Sequence, residues 1–385
     1  MKITKANIYV VSGGPIRPVI VELETDAGIS GIGEAAVAYG LGATAAAAMI
    51  KEMVDRDVLG KDPYRIEEIW NVLYDQSFWT KGGGAISFSA VSAIEEALWD
   101  IKGKATGLPI YEFLGGKVNE SVPVYANGWN YHCYGALDWA RASERPLKDG
   151  YRSLKCYPFA TQQPGGTLQH VSRRALDPAA TELAYNRVKE LRNAVGPDIE
   201  ILIDLSGGLT TGETISFARR IEELNIGWLE EPVDPFHIDA LKKVSESVRM
   251  PIACGERLYT VKGFHSIVAS QAVDILQPDI GNTGGILETK KIAALAEAAN
   301  MRVAPHNCAS ALSTAVTLQL SGCLSNLVNL EIYPYFKDAP GYVEVLQDPP
   351  ESRIKDGKLA VSNEPGIGAT LAHDRVRPFL VAQCG

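Results

Sequence analysis

Residues 199–206 read IEILIDLS, residues 226–232 read IGWLEEP and residues 251–256 read PIACGE. Each is a short apolar run that stops on an acid, and the three acids, Asp204, Glu230 and Glu256, stand 26 residues apart. That interval holds one strand, one crossover helix and their loops, which is what two parallel neighbouring strands require. The pattern extends in both directions. Short apolar runs occur at 122–125, 153–155, 201–203, 227–229, 252–254, 274–276, 302–304 and 328–330, with helical stretches between them. Eight strand and helix steps over roughly 210 residues predict a closed parallel (β/α) barrel.

In such a barrel the chemistry gathers at the C-terminal ends of the strands. The residues that end the runs there are Asp204, Glu230, Glu256, Asp279, His306 and Glu331, so all six are expected in one mouth. Three carboxylates on adjacent strands repel one another unless a divalent cation neutralises them, and an all-oxygen set favours a hard ion such as Mg²⁺. Asp204, Glu230 and Glu256 are the expected ligands. Glu231 competes with Glu230, because only alternate side chains of a strand face inward and the register decides between them. Taken singly, each acid reads better as a solvated strand end or a helix cap. Three at one structural period favour a site. His306, one unit beyond Asp279, suits a general base, since a buried carboxylate orients an imidazole and makes it more basic.

The first part of the chain reads differently. Strands are expected at Lys2–Val11, Val19–Thr25 and Gly31–Ala35, with Val19, Val21 and Leu23 alternating in the second. Three helical segments follow. The clearest runs from Ser89 to Lys104, where Val91, Ile94, Leu98 and Ile101 recur at three- and four-residue spacing before Gly107-Leu108-Pro109 stops the helix. Strands followed by helices in separate runs define an α+β unit. Within the barrel part, the stretch Pro158–Asp177 is rich in Gln, Gly, Pro and Arg, and a loop of that length in a compact domain is usually functional.

Composition excludes several classes. The 385 residues are 46% hydrophobic and 22% charged, which rules out disorder, collagen-like repeats and a small disulfide scaffold. The net charge is −9 and no run of about five or more like charges appears, so neither nucleic acid nor a membrane surface is an expected partner. The opening MKITKANIYVVSGGP lacks the apolar length of a secretion signal. Residues 303–330 carry no formal charge with His306 neutral, but Pro305, Asn307, Asn326 and Asn329 make them a buried helix followed by a buried strand rather than a membrane span. Six scattered cysteines without a C-x-x-C pair fit reduced thiols in a cytoplasm.

A family resemblance rests on several motifs spread over nearly the whole chain. They are Ala97-Leu98-Trp99-Asp100-Ile101-Lys102-Gly103-Lys104 through Pro109, Leu114-Gly115-Gly116, Glu230-Glu231-Pro232, Gly255-Glu256, Gln277-Pro278-Asp279 and Pro365-Gly366-Ile367-Gly368. Together they resemble the mandelate racemase-like branch of the enolase superfamily, and its sugar-acid dehydratases, of the galactonate dehydratase kind, most of all. The resemblance implies an α/β fold: a (β/α)7β TIM-like barrel at 121–335 under an N-terminal α+β capping domain at 1–120, which a C-terminal segment at 336–385 returns to complete. It also implies one Mg²⁺ per subunit, Glu230 as the ligand of its pair, Asp279 with His306 as the catalytic dyad, Glu331 as a hydrogen-bond partner of the developing enediolate, and a homo-oligomer, dimeric or octameric.

One departure matters. The family commonly ends its second barrel strand with Lys-x-Lys, where this chain has Lys155-Cys156-Tyr157. Some sugar-diacid dehydratases look similar in placing tyrosine here. A phenol with an ordinary pKa near 10 is a poor base toward carbon but a reasonable proton donor, with the Lys155 ammonium on the same strand face. The structural alternative for Tyr157 is an aromatic packed beneath the cap. Position 206, often Asn or His in related dehydratases, is Ser.

The expected activity is Mg²⁺-dependent dehydration of an aldonate or aldarate to a 2-keto-3-deoxy acid. The substrate carboxylate would bind the metal and Lys155, His306 would remove the α-proton, and the β-hydroxyl would leave with a proton from Tyr157 or from His306. By the resemblance, segments Glu34–Leu41 and Phe78–Gly84 cover the mouth, making Tyr39, Trp79 and Lys81 candidate substrate contacts; Asn127, ending the first barrel strand, is a fourth. Rival readings are a racemase or epimerase, which needs competent bases on both faces, a cycloisomerase using the same enediolate, and a catalytically silent sugar-acid-binding protein, which needs no His306–Asp279 pair. Gly281-Asn282-Thr283-Gly284-Gly285 lacks the G-x-G-x-x-G spacing of a dinucleotide site.

Overall fold

The computed structural model describes residues 1–162, 168–170, 176–335 and 342–385. An antiparallel meander is built from β1 (Ile3–Val10), β2 (Val19–Thr25) and β3 (Ser30–Ala35), which are buried along nearly their whole length. Three helices follow, α1 (Ala43–Met53), α2 (Ile66–Asp75) and α3 (Ala85–Thr106). The third is longer at both ends than its periodic stretch and stops at Gly107, which takes the left-handed conformation at φ 71. It lies directly on β3. A Cβ at Gly33 would sit 2.1 Å from the Ala93 carbonyl oxygen, so glycine is what lets strand and helix meet so closely.

After the short α4 (Ile110–Phe113) come the barrel strands. The first two are β4 (Ser121–Ala126) and β5 (Ser153–Cys156). A small hairpin, β6 (Thr161–Gln162) with β7 (Leu168–Gln169), lies in the Pro158–Asp177 loop, of which residues 163–167 and 171–175 are outside the described residues. The ring continues through β8 (Glu200–Asp204), β9 (Ile226–Glu230), β10 (Ile252–Cys254), β11 (Ile275–Leu276), β12 (Arg302–Val303) and β13 (Leu330–Ile332), each parallel to its neighbour through β12. β13 pairs with β4, and a parallel bridge between Val303 and Leu327 closes the ring. The last strand begins two residues later than its apolar run. Residues 326–328 bond to Val303 of β12, and the chain then passes to β4 at 330–332, so one segment serves two neighbours in turn.

The crossovers are α5 (Ala136–Ala142) with α6 (Glu144–Lys148), α7 (Pro178–Val195), α8 (Thr211–Ile221), α9 (Ile238–Ser245), α10 (Thr260–Ala269), α11 (Ile280–Thr283) with α12 (Ile286–Ala298), and α13 (Ala311–Ser321). The uncharged stretch at 303–330 is therefore strand, buried helix and strand; no described helix is long and apolar enough to cross a membrane. After the barrel, β14 (Lys358–Ala360) pairs antiparallel with β4, α14 (His373–Val376) follows, and β15 (Leu380–Cys384) joins β1 antiparallel at the edge of the N-terminal sheet.

Inside the ring, Tyr125, Leu202, Trp228, Ala253, Ile275 and Ala304 form a buried plug. Side chains alternate along a strand, so two residues further toward each C-terminus the interior face carries Asn127, Asp204, Glu230 and His306. The apolar floor and the polar mouth are successive layers of one alternation.

Candidate active site

Asp204 and Glu230 end adjacent strands as direct partners across the β8–β9 ladder. Glu256 follows β10 on a turn at Gly255 with φ 148, where a Cβ would come within 3.0 Å of the Gln277 backbone. One oxygen from each of the three carboxylates lies within 4.8 Å of the others. Asp204 and Glu230 are buried and Glu256 is half-buried. Ser206, at φ 51, donates to Asp204 Oδ1 from its amide at 2.7 Å and its hydroxyl at 3.0 Å, so this position aims a carboxylate instead of supplying an acid. The neighbour Glu231 points elsewhere, to the Arg257 guanidinium and the Cys254 thiol.

Crowded buried acids need a cation. Burial raises the Asp204 carboxyl and pushes Glu230 up to about 7, and the Lys155 ammonium opposes both. Lys155 is fully buried, with Nζ 2.5 Å from Glu230 Oε1, 2.8 Å from Glu331 Oε1 and 3.5 Å from Asp204 Oδ2. Burial disfavours its charge, but Glu230 and Glu331 outweigh that and hold the ammonium well above its ordinary range. Three convergent carboxylates with charge left over after Lys155 fit a hard divalent ion.

His306, after β12, and Tyr157, after β5, both line the mouth. The His306 Nδ1 is 2.6 Å from Asp279 Oδ2, and a parallel bridge between these two residues fixes the pair. With Nδ1–H donating to Asp279, Nε2 is turned toward Glu256 Oε2 at 3.2 Å and Glu331 Oε2 at 3.7 Å. Burial lowers the imidazole, but Glu256, Glu331 and Asp279 overcome it and push it up to about 10. A folded value above the ordinary 6.5 means that protonating His306 stabilises the fold. That contribution is complete below about pH 6.5 and is lost as pH rises through about 10. We expect the ring proton of His306 in metal-free protein to titrate near 10 by NMR; a midpoint at 6 to 7 would show that the three carboxylates are not acting on it.

Asn127 ties the far side together. Its fully buried amide nitrogen lies 2.6 Å from Glu331 Oε1, 2.7 Å from the Tyr157 hydroxyl and 2.8 Å from the Tyr333 hydroxyl. The two phenols are 3.2 Å apart. Burial raises Tyr157 well above its ordinary 10 with Lys155 opposing, so it stays a phenol.

A cavity of about 430 Å³ opens over these groups. Of the expected residues, Tyr39, Tyr157, Asp204, Glu256, Asp279 and His306 line it. Lys155, Glu230, Glu331 and Asn127 are fully buried around its floor and engage one another. Two cap residues differ from expectation. Trp79 is 82% exposed, and Lys81 pairs with Asp75 at 2.9 Å on the surface; both lie in the short 3-10 turn Trp79–Gly82, and neither lines the cavity. Sequence reasoning missed Tyr131, His170, Arg257 and Tyr333 on the wall. Tyr333 was within reach, since it lies two residues from Glu331, whereas His170 comes from an irregular loop and meets the Tyr157 ring edge-on at 5.6 Å.

Fold and site together define a capped barrel whose mouth sets a three-carboxylate cluster against a histidine–aspartate pair. The chain belongs to the mandelate racemase/muconate lactonizing enzyme branch of the enolase superfamily: residues 7–115 match the mandelate racemase/muconate lactonizing enzyme N-terminal domain and residues 138–375 match the enolase C-terminal domain-like family. It is 32% identical over 380 residues to D-galactonate dehydratase of Variovorax paradoxus, covering 98% of this chain and 94% of that protein. To D-xylonate dehydratase of Haloferax volcanii it is 32% identical over 367 residues, 94% and 85% of the two chains. Among solved structures, one from Mesorhizobium loti is 55% identical with a TM-score of 0.97, and an enolase superfamily member from Salmonella Typhimurium is 34% identical with a TM-score of 0.94, each covering 100% of both chains.

Proposed function

We propose that this chain is a Mg²⁺-dependent sugar-acid dehydratase that removes the proton α to a carboxylate, expels the β-hydroxyl and yields a 2-keto-3-deoxy acid. The observation that carries the reading is the placing of the Asp279–His306 pair beside the Asp204, Glu230 and Glu256 cluster in one cavity. The relatives named as dehydratases of galactonate and xylonate support the substrate class.

Asp204, Glu230 and Glu256 would hold the ion, which when bound supplies Lewis-acid stabilisation of negative charge. Lys155 adds a fixed positive charge beneath the substrate carboxylate. In the metal-free protein Glu256, Glu331 and Asp279 hold His306 protonated; a cation held by Glu256 would offset part of that charge and favour the neutral imidazole, whose Nε2 would then accept the α-proton while Asp279 keeps Nδ1 protonated. Glu331, held by Lys155 and Asn127, hydrogen-bonds the enediolate as it forms. Tyr157 and the newly protonated His306 are the donors this reading names for the departing hydroxyl. A racemase is disfavoured because its second base would be Tyr157, whose phenol burial holds in the protonated form. Tyrosine hydroxyls on the wall, among them Tyr39, Tyr131 and Tyr259, suit a polyhydroxylated chain.

The deciding experiment is a screen of a sugar-acid library with Mg²⁺, detecting 2-keto-3-deoxy products with semicarbazide; a full library without product refutes the reading. Tyr157→Phe then separates the two donors. It keeps the ring against His170 and removes only the phenol. With Tyr157 as donor, elimination slows by roughly 10²- to 10⁴-fold while α-proton exchange with D₂O continues. Dehydration at the parent rate would assign both transfers to His306.

A further inference from the structure

Glu34 is the penultimate residue of β3, yet its carboxylate serves the barrel. It is 1% exposed. Oε1 accepts from the Ser310 amide at 3.0 Å, and Oε2 accepts from the Ser310 hydroxyl at 2.5 Å and the Ser313 amide at 3.1 Å. Ser310 is the N-cap of α13, and its own hydroxyl oxygen accepts from the Leu312 amide at 3.2 Å. First-turn amides of a helix have no partner within it and carry the positive end of its dipole, so a carboxylate there is held by both effects. Here the carboxylate comes from a different sheet, nearly 280 residues away in the chain.

The two sides of this contact are both parts of the cavity. Ala36, Val37, Tyr39 and Leu41, immediately beyond Glu34, form its wall on the N-terminal side. The Ala36 amide also donates to Gly281, two residues past Asp279, at 2.9 Å. Four residues before Ser310 stands His306, and between them the Asn307 amide donates to Glu331 Oε2 at 3.2 Å. The backbone of Glu34 is fixed in turn by its amide donating to Glu96 Oε2 at 2.8 Å. One carboxylate therefore spans from the wall that would cover the substrate chain to the loop that carries the proposed base.

We propose that Glu34 is a positioning residue that locks the wall at 36–41 and the loop at 306–310 into one unit, so that the substrate chain and the proton acceptor are placed together. The kinetic part rests on the reading of His306 as base; the mechanical part does not.

The test is Glu34→Gln, which keeps the shape and turns an amide NH₂ toward the Ser310 or Ser313 donors. A misplacement of this kind costs about 10²-fold in kcat/KM, with KM raised and kcat lowered. Mg²⁺ affinity by calorimetry stays at the parent value, because Glu34 touches none of the three carboxylates. Ser310→Ala costs less in kcat/KM in the Glu34→Gln background than in the parent, because there it removes the bond to the Leu312 amide but no bond to a carboxylate. Amide hydrogen exchange followed by mass spectrometry reads the unit without any turnover: residues 36–41 and 306–313 lose protection together. Loss in only one segment, additive kinetic effects, or parent KM and kcat in Glu34→Gln each overturn the proposal. Should Glu34→Gln not fold, Ser310→Ala, which removes the hydroxyl's bonds to Glu34 and to the Leu312 amide, is read at residues 36–41, which the cap bond does not reach: they lose protection on a smaller scale, and unchanged exchange there overturns the proposal. A parent chain that dehydrates no sugar acid refutes the dehydratase reading and leaves the exchange measurement as the judge of the lock.

Discussion

His306→Asn abolishes both turnover and exchange of the substrate α-proton with D₂O, with a loss of at least about 10⁴-fold, the upper end of what one general base contributes. The substitution is chosen from the geometry. The asparagine amide occupies the Nδ1 side of the imidazole and can donate to Asp279 Oδ2, now 2.6 Å from Nδ1, so the loop stays tied to β11 while no basic nitrogen remains at the Nε2 position. The cluster of Asp204, Glu230 and Glu256 does not include His306, and metal affinity should persist. Exchange is the sharper measurement, because it reports proton abstraction even when the later expulsion of hydroxide is blocked. Exchange at the parent rate would remove His306 from the role and leave Tyr157, which lines the same cavity, as the base. Turnover lost together with metal binding would mean that the loop had collapsed, and the exchange result could not then be assigned to one nitrogen.

The barrel and its ladder of acids were legible because they follow a period. A parallel strand and its crossover helix take up a nearly constant length of chain, and alternation puts every second residue inside, so Asp204, Glu230 and His306 stand where interval and parity place them. Glu256 is the partial exception. It departs from strict alternation after Ala253, and Gly255 at φ 148 supplies the turn that returns it to the cluster. Loops have neither interval nor parity. Trp79 and Lys81 lie in Phe78–Gly84, a segment expected over the mouth from the family resemblance, but neither lines the cavity: Trp79 is exposed and Lys81 pairs with Asp75. His170 carried no signal at all. Glu34 shows a further limit: it sits on a well-read strand, but its partners Ser310 and Ser313 are far along the chain, and nothing local marks a carboxylate that caps another domain's helix. Asn127, a candidate substrate contact by its place at a strand end, also ties Glu331, Tyr157 and Tyr333 together through its amide, partners that its position in the sequence does not reveal.

Lys155→Met is expected to destabilise the metal-free protein by about 3 to 5 kcal/mol at neutral pH, the cost of removing one partner from a buried ion pair. The methionine matches the stem of the lysine, so packing changes little and the loss is electrostatic. Without the ammonium, Glu230 and Glu331 lose bonds of 2.5 and 2.8 Å, and Asp204 loses the charge 3.5 Å away. Their remaining options are to take up protons or to gain another cation. The first makes the variant recover stability as pH falls, because protonation removes the repulsion that Lys155 relieved. The second makes the gain in melting temperature on adding Mg²⁺ larger in the variant than in the parent, since Lys155 and the ion share Glu230 and Asp204 and no longer compete for them. Catalysis moves the other way. With no ammonium beneath it the substrate carboxylate is bound more weakly, and Glu331 loses the partner that holds it toward the enediolate. A variant that melts like the parent at neutral pH would show that the buried ammonium offsets little of the acidic repulsion. An equal Mg²⁺-induced shift in both proteins would show that the ion binds away from Asp204 and Glu230, and the assignment of the cluster would fall with it.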